Sequence, residues 1–358
     1  MNNRIIGIDV ARSFAIFGMI LVNFKMVLGQ HGETWIKHFS SLLEGKAAAT
    51  FVVLAGVGIA FMTNSAVNKN NLEKIKTAKK RILKRAFFLF FIGLSYIVIW
   101  PADILHFYGI YMLITLLLIQ SNSRKILYSA LVIVLLYPIL LMFFNYEAGW
   151  DFTSLNYFDF WSLNGFLRNL FLNGFHPVLP WTAFMIIGLW FGKQDLTNNR
   201  FVKKSALLSL LIFLVMQLLS KVTIAFLSDG SPASTEELQL ILGTSPMPPL
   251  PIYMISGSSV AIFIISICIL ISRKFKNTFI IKALTKTGQL ALTFYVAHVI
   301  LGMGLIEMIS SKKLGEYSLN FSILYGLIFS LGCIVFAIIW TKYKKSGPLE
   351  WIMRKITD

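Results

Sequence analysis

The sequence predicts an all-α protein, a polytopic membrane helix bundle of about ten transmembrane helices with both termini cytoplasmic. Three observations predict it. The 358 residues are 56% hydrophobic and only 14% charged, with a mean hydropathy of +0.72. Soluble domains carry about 25% charged residues, so the polar surface needed to solvate a globule is missing. The apolar residues also fall in long runs with short polar breaks, as helices require, whereas membrane-crossing strands leave a much weaker period-two pattern. Finally, the positive charge is one-sided, which sets the orientation.

Ten apolar spans are read at about 5–27, 47–63, 84–100, 106–120, 126–144, 178–192, 205–227, 251–272, 288–309 and 321–341. Several fall short of the roughly 20 residues a straight crossing needs, so their ends are approximate. With the N-terminus inside, only Lys25, Lys37, Lys46, Arg168, Lys221, Lys312 and Lys313 of the 33 Lys and Arg face outward, and Arg12 lies within the first span. The rest cluster in short inner loops and the tail. The formal charge of +17 therefore reads as positive-inside orientation and attraction to anionic headgroups, not as a nucleic-acid surface. A phosphorylated cytoplasmic ligand is the sharper reading of the same basic loops.

The first span, "IDVARSFAIFGMILVNF" (8–24), is expected to be retained, because it carries Asp9 and Arg12 and lacks a small-residue cleavage site. A charge inside a span costs roughly 2.5–3.5 kcal/mol on insertion scales, so it needs a partner or a task. Asp9 and Arg12, three residues apart, can pair on one face. The plain reading is a neutralised anchor. The functional one is Arg12 aimed at an anionic group with Asp9 orienting it. Asn23, about three turns on, must find a hydrogen bond.

The five histidines avoid the cytoplasmic loops. His38 stands in "GETWIKHFSSLLEGK" between the first and second spans, where a fold-back would bring it over Asn23. "PADILHFYGIY" (101–111) sets Asp103 three residues before His106. That spacing suits a carboxylate orienting an imidazole, and equally an aspartate capping a helix whose first turn holds the histidine. The longest outer loop, 145–177, is dense in Trp, Phe, Tyr and Asn, as suits a segment at the headgroup interface. It ends in "FHPVLPW", placing His176 and Trp181 at a span mouth. The polar loop 228–250 reads as a connector or a lid. In "TGQLALTFYVAHVILGMG" (287–304) His298 is flanked by small residues that permit close helix approach.

Absences narrow the chemistry. No phosphate-binding loop, H-E-x-x-H or G-x-S-x-G is present, so no ATP use by this chain is expected. The two cysteines, Cys268 and Cys333, lie in apolar spans and offer neither a disulfide framework nor a metal-ligand spacing. No metal is expected.

"RIIGIDVARSFAIFGMILVNF" (4–24), "ADILHFYGI" (102–110), "TGQLALTFYVAHVI" (287–300) and the tail "SGPLEWIMRKIT" (346–357) resemble the bacterial YeiB-like inner-membrane family over nearly the whole chain. That family is similar in turn to the transmembrane acyltransferases typified by lysosomal heparan-α-glucosaminide N-acetyltransferase. "FHPVLPWTAFMIIGLWFGK" (175–193) looks like a Pro-Trp span start of that superfamily. The resemblance implies one transmembrane acyltransferase-like domain over 1–358 in a bacterial cytoplasmic membrane. It implies acyl-CoA, acetyl-CoA first, as cytoplasmic donor, and a glycan or envelope hydroxyl or amine as extracytoplasmic acceptor. It also implies that the first span ends in an Asn, here Asn23, followed by a catalytic histidine for which His38 is the nearest match. One departure stands out: the Asp and Phe-Pro that follow that histidine in the acyltransferases are replaced here by "EGKAAATFVVLAG" (44–56).

The expected site therefore has His38 or His106 as general base, Asp103 orienting His106, and Asn23 or Trp181 stabilising the oxyanion. Asp9, Arg12, His176 and His298 complete the expected substrate-binding set. Membrane lipids are the remaining expected partner, and a monomer or homodimer the default assembly. A small-molecule transporter or channel without acyl chemistry, or a non-enzymatic subunit of an envelope complex, are the rival classes.

Overall fold

Backbone polar groups in lipid must be satisfied within the segment that carries them, which leaves helices as the economical solution for long apolar runs. The computed structural model describes residues 4–29, 31–32, 34–152, 154–309 and 312–358, and the side chains at 34, 38 and 39 lie outside that description. Among the described residues the chain is a succession of helices with one two-stranded hairpin. In order they are α1 (Ile6–Leu28), α2 (Thr34–Ser41), α3 (Lys46–Asn68), α4 (Leu72–Ser95), α5 (Leu105–Leu116) and α6 (Ser123–Leu141). The hairpin β1 (Trp150–Asp151) and β2 (Asn156–Tyr157) precedes α7 (Leu163–Arg168), α8 (Val178–Gly192), α9 (Asn199–Leu227) and α10 (Pro232–Leu242). Then follow α11 (Pro251–Lys274), α12 (Phe279–Gln289), α13 (Ala291–Ala297), α14 (Gly304–Ile309), α15 (Leu319–Tyr343) and α16 (Pro348–Thr357).

Each of the ten expected spans contains helix. Among the described residues seven segments are long and apolar enough to cross a membrane alone, and the pair Leu163–Asn173 and Val178–Gly192, bent by 46°, makes an eighth when counted as one span. The other two differ from expectation in their limits. The basic run before residue 84 is not a loop: Asn71 caps α4 by accepting from the Lys74 N–H at 2.9 Å, and nothing between Leu72 and Ser95 breaks the helix. The apolar stretch 106–120 is helical only as the 12 residues of α5. On α9, Leu207, Leu211, Leu214 and Leu218 are exposed, an outward apolar face suited to lipid.

The chain divides into two units, with divisions inside α3, α9, α11 and α16 and one between α8 and α9. The first holds residues Met1–Leu54, Leu196–Leu208 and Val260–Ile356. Here α1 packs on α12, α13 and α15. Gly288 makes the closest approach: a Cβ there would lie 1.7 Å from the Asp9 carbonyl oxygen, so only glycine lets α12 meet α1. The tail signature has a structural purpose in this unit. Glu350 on α16 accepts hydrogen bonds from the Leu292 and Thr293 N–H groups at 2.8 and 3.2 Å and from the Thr293 hydroxyl. It thus caps the first turn of α13 from a distant part of the chain. Burial lifts the Glu350 carboxyl above the usual glutamate value, and the hydrogen bonds from Thr293 and Leu292 offset this only in part.

The second unit holds Ala55–Asp195, Ser209–Ser259 and Thr357–Asp358. Within it α5 packs on α4 and α8, and α6 on α8. The aromatic loop 145–177 is built, not loose. Trp150 donates its indole N–H to the Asn173 carbonyl at 2.6 Å, and the Asn173 side chain donates to the Tyr146 and Ala148 carbonyls at 2.7 and 2.8 Å. Arg168 pairs with Asp159 at 2.6 Å. In the loop 228–250, Ser231 caps the exposed α10.

Candidate active site

Two polar clusters stand out, one in each unit. In the second unit the chain leaves α4 at Ser95, turns through Tyr96–Ile104 and enters α5. Asp103 and His106 are 0% and 1% exposed. Asp103 Oδ2 accepts from the His106 backbone N–H at 3.1 Å and contacts His106 Nδ1 at 2.9 Å, while Oδ1 accepts from the Tyr96 hydroxyl. The two sequence readings of this pair are therefore both realised: one carboxylate satisfies an orphan N–H of the helix start and orients the imidazole. With three donors converging on it, Asp103 is an acceptor-only carboxylate. Nδ1 of a neutral His106 then carries the hydrogen, and the lone pair sits on Nε2. That Nε2 is buried and has no hydrogen-bond partner.

Aromatic rings wall this dyad. His106 contacts the Phe107 ring at a centroid distance of 3.9 Å, and Phe160 from the aromatic loop meets it edge-on at 6.4 Å. Phe107 also touches His176 at 6.2 Å, and His176 stands edge-on to Trp181 at 4.6 Å. The structure thus brings together Asp103, His106, His176 and Trp181. His176 lies in the break before α8, where its carbonyl accepts from the Tyr111 hydroxyl. His176 Nδ1 and Trp181 Nε1 are likewise buried without a partner. Three unpaired polar nitrogens around one aromatic cluster form a donor-and-acceptor set for a ligand, since such groups cost about 1–3 kcal/mol when nothing satisfies them.

In the first unit Asn23 Nδ2 and His298 Nε2 meet at 2.9 Å. The hydrogen bond that Asn23 requires comes from a partner 275 residues away. His298 opens a π-helical turn, His298–Met303, against Phe24 and Tyr295. Such turns recur at functional sites. Asp9 and Arg12 pair at 2.8 Å as their spacing predicts, but Arg4 joins them at 2.7 Å. Arg12 is thereby held by Asp9, as in the anchor reading. His38 is on α2, and its side chain lies outside the described residues. Among the described residues no three His, Cys, Asp or Glu gather as a metal site.

Sequence reasoning missed Tyr96, Arg4, Tyr111 and Glu350. Tyr96 precedes Asp103 by seven residues, and only the non-helical turn between them brings its hydroxyl round. Arg4 and the Glu-Trp of the tail were visible in the quoted motifs, but their partners were not.

The family described as "Heparan-alpha-glucosaminide N-acetyltransferase, catalytic" matches residues 4–227. The chain belongs to that family. Residues 190–358 also match "Protein of unknown function (DUF418)", the YeiB-like family. A similar protein is "Uncharacterized protein YxaH" of Bacillus subtilis (strain 168), 22% identical over 99% of this chain and 94% of its own length. This heparan-α-glucosaminide N-acetyltransferase-like chain is a multi-pass membrane protein of acyltransferase type. The family match spans Asp9, Arg12, Asn23, His38, Asp103, His106, His176 and Trp181, and the DUF418 match contains His298.

Proposed function

We propose that the protein moves an acyl group, acetyl first among candidates, from cytoplasmic acyl-CoA to a hydroxyl or amine of an extracytoplasmic glycan or envelope acceptor. The whole chain acts as one such domain in a bacterial cytoplasmic membrane, both termini inside. One observation carries the reading: His106 presents an unpaired, buried Nε2 while Asp103 holds the opposite ring nitrogen. This is the arrangement a general base needs.

The acceptor oxygen or nitrogen attacks the thioester carbonyl carbon as His106 Nε2 takes its proton. Asp103 stabilises the resulting imidazolium. Charge developing on the carbonyl oxygen is met by the Trp181 indole N–H, a donor with no other use in the structure. The C–S bond then breaks, and the Nε2 proton passes to the departing thiolate. On the same reading Asn23, His298, Asp9 and Arg12 belong to the substrate-binding set, and His38 on α2 is the alternative base. The aromatic wall of Phe107, Phe160 and His176 keeps water from the thioester.

Release of free thiol from acetyl-CoA by purified protein, with an envelope glycan fraction as acceptor, tests this. His106→Ala is expected to lower the rate by about 10²–10⁴-fold, the range for a lost general base. His38→Ala in parallel decides between the two histidines. Solute flux with no thiol release in wild-type protein would establish a transporter instead.

A further inference from the structure

The first unit carries a second polar feature that the acyl-transfer steps do not use. A cleft of about 240 Å³ opens where the start of α1 meets the end of α11, lined by Arg4, Gly7, Thr197, Ser272, Arg273 and Lys276 among others. Its charge is one-signed: among the described residues three cations line it and no carboxylate does. Arg4 spends part of its charge on Asp9. Arg273 does not, because its hydrogen bonds run to neutral oxygens, the Asn199 side chain and the Leu196 carbonyl. Those bonds fix the guanidinium in place without neutralising it.

Two further donors face the same space. α1 is 23 residues long and no side chain caps it at Ile5. The Ile8 N–H donates to the Ile5 carbonyl at 3.1 Å, while the N–H groups of Ile6 and Gly7 precede the intrahelical ladder and sit at the positive end of the helix dipole. Ser272 is 1% exposed, and its hydroxyl is buried without a hydrogen-bond partner. A buried hydroxyl beside cations and a bare helix start is a set of donors in search of an anion. A second cleft of about 340 Å³ adjoins, sharing Ile6 and Lys276, with Phe279, Ile281 and Ile338 as apolar lining and Lys282 and Lys286 beside them.

We propose that these joined clefts bind a phosphate-bearing amphiphile, its phosphate held by Arg273, Lys276, the Ser272 hydroxyl and the first N–H groups of α1, its apolar part against Phe279 and Ile338. The pocket stands on its own geometry. Only the naming of the acyl donor's nucleotide as the source of the phosphate rests on the acyl-transfer reading; a lipid headgroup offers the same chemistry.

Equilibrium binding to the full-length protein in uncharged detergent tests the site with three probes: adenosine 3′,5′-bisphosphate, inorganic phosphate, and phosphatidylglycerol in nanodiscs. Saturable binding of at least one is expected, weakened about tenfold in Lys276→Gln, weakened in Ser272→Ala, retained in Lys276→Arg and unchanged in Lys344→Gln. Nucleotide binding that phosphatidylglycerol does not displace assigns the donor; binding of the lipid alone assigns a headgroup. Failure of all three probes to bind, or equal binding in wild type and Lys276→Gln, overturns the proposal. Thiol release measured on the same samples keeps the two readings separate, because His106→Ala is expected to slow transfer while leaving phosphate binding intact.

Discussion

At the scale of single residues, Asp103 in the second unit is held by three donors. Its two oxygens serve a hydroxyl, a backbone N–H and an imidazole. In Asp103→Asn the amide oxygen keeps the place of Oδ2, where the His106 N–H and Nδ1 both need an acceptor, and the negative charge that stabilises the imidazolium is lost. The rate of thiol release is expected to fall by about 10²–10⁴-fold with KM little changed. Tyr96→Phe removes one hydrogen bond and should cost only about 1 kcal/mol. Equal losses in the two variants would show that the carboxylate acts only as part of the fold. Asp9 is a different case, 2% exposed and held by two arginines that reach solvent. Asp9→Asn is expected to lower stability by roughly 1–2 kcal/mol once solvent screening of the arginines is allowed for, read as a shift in thermal unfolding.

At the scale of elements, two close contacts govern the sites. Gly93 on α4 faces the start of α5, where a Cβ would lie 2.4 Å from the His106 nitrogen and 2.5 Å from Asp103 Oδ2. Backbone cannot yield as a side chain can. Gly93→Ala is expected to cost about 1–3 kcal/mol and to cut thiol release by moving the dyad; a fully active variant would refute the close packing. The second contact is the Glu350 cap on α13, the helix that leads into His298. Because burial raises the Glu350 pKa, the cap's contribution is fully present below the unfolded-state value and declines as pH rises through the folded one. Protection of α16 from proteolysis should therefore weaken with rising pH in wild type. Glu350→Gln should remove that dependence, and an unchanged pH profile in the variant would count against it. Helix identity in these regions was legible from apolar runs, and so was the Asp103–His106 spacing. The limits of α4 were not, because a basic run with good helix formers continues a span as readily as it ends one.

At the scale of the whole molecule, the orientation proposed from the basic loops can be checked directly. With Cys268 and Cys333 replaced by serine, single cysteines at Lys344 and at Ser154 should label from opposite sides of the membrane, Lys344 from within. Labelling from one side at both would overturn the orientation. The sequence by itself determined that this is an all-helical membrane protein of the heparan-α-glucosaminide N-acetyltransferase type. Apolar content, run length and motif identity are properties of the chain read locally, and they add up without knowledge of packing. It also determined that Asp9 pairs with Arg12 and Asp103 with His106, since three residues of helix fix those neighbours. Only the tertiary structure decided that Asn23 meets His298, that Tyr96 joins the dyad, that His106 Nε2 is left open, and that Glu350 caps α13. Those contacts link groups as much as 275 residues apart, and their partners are chosen by which helices pack together, a choice that many side chains make jointly and no short stretch encodes.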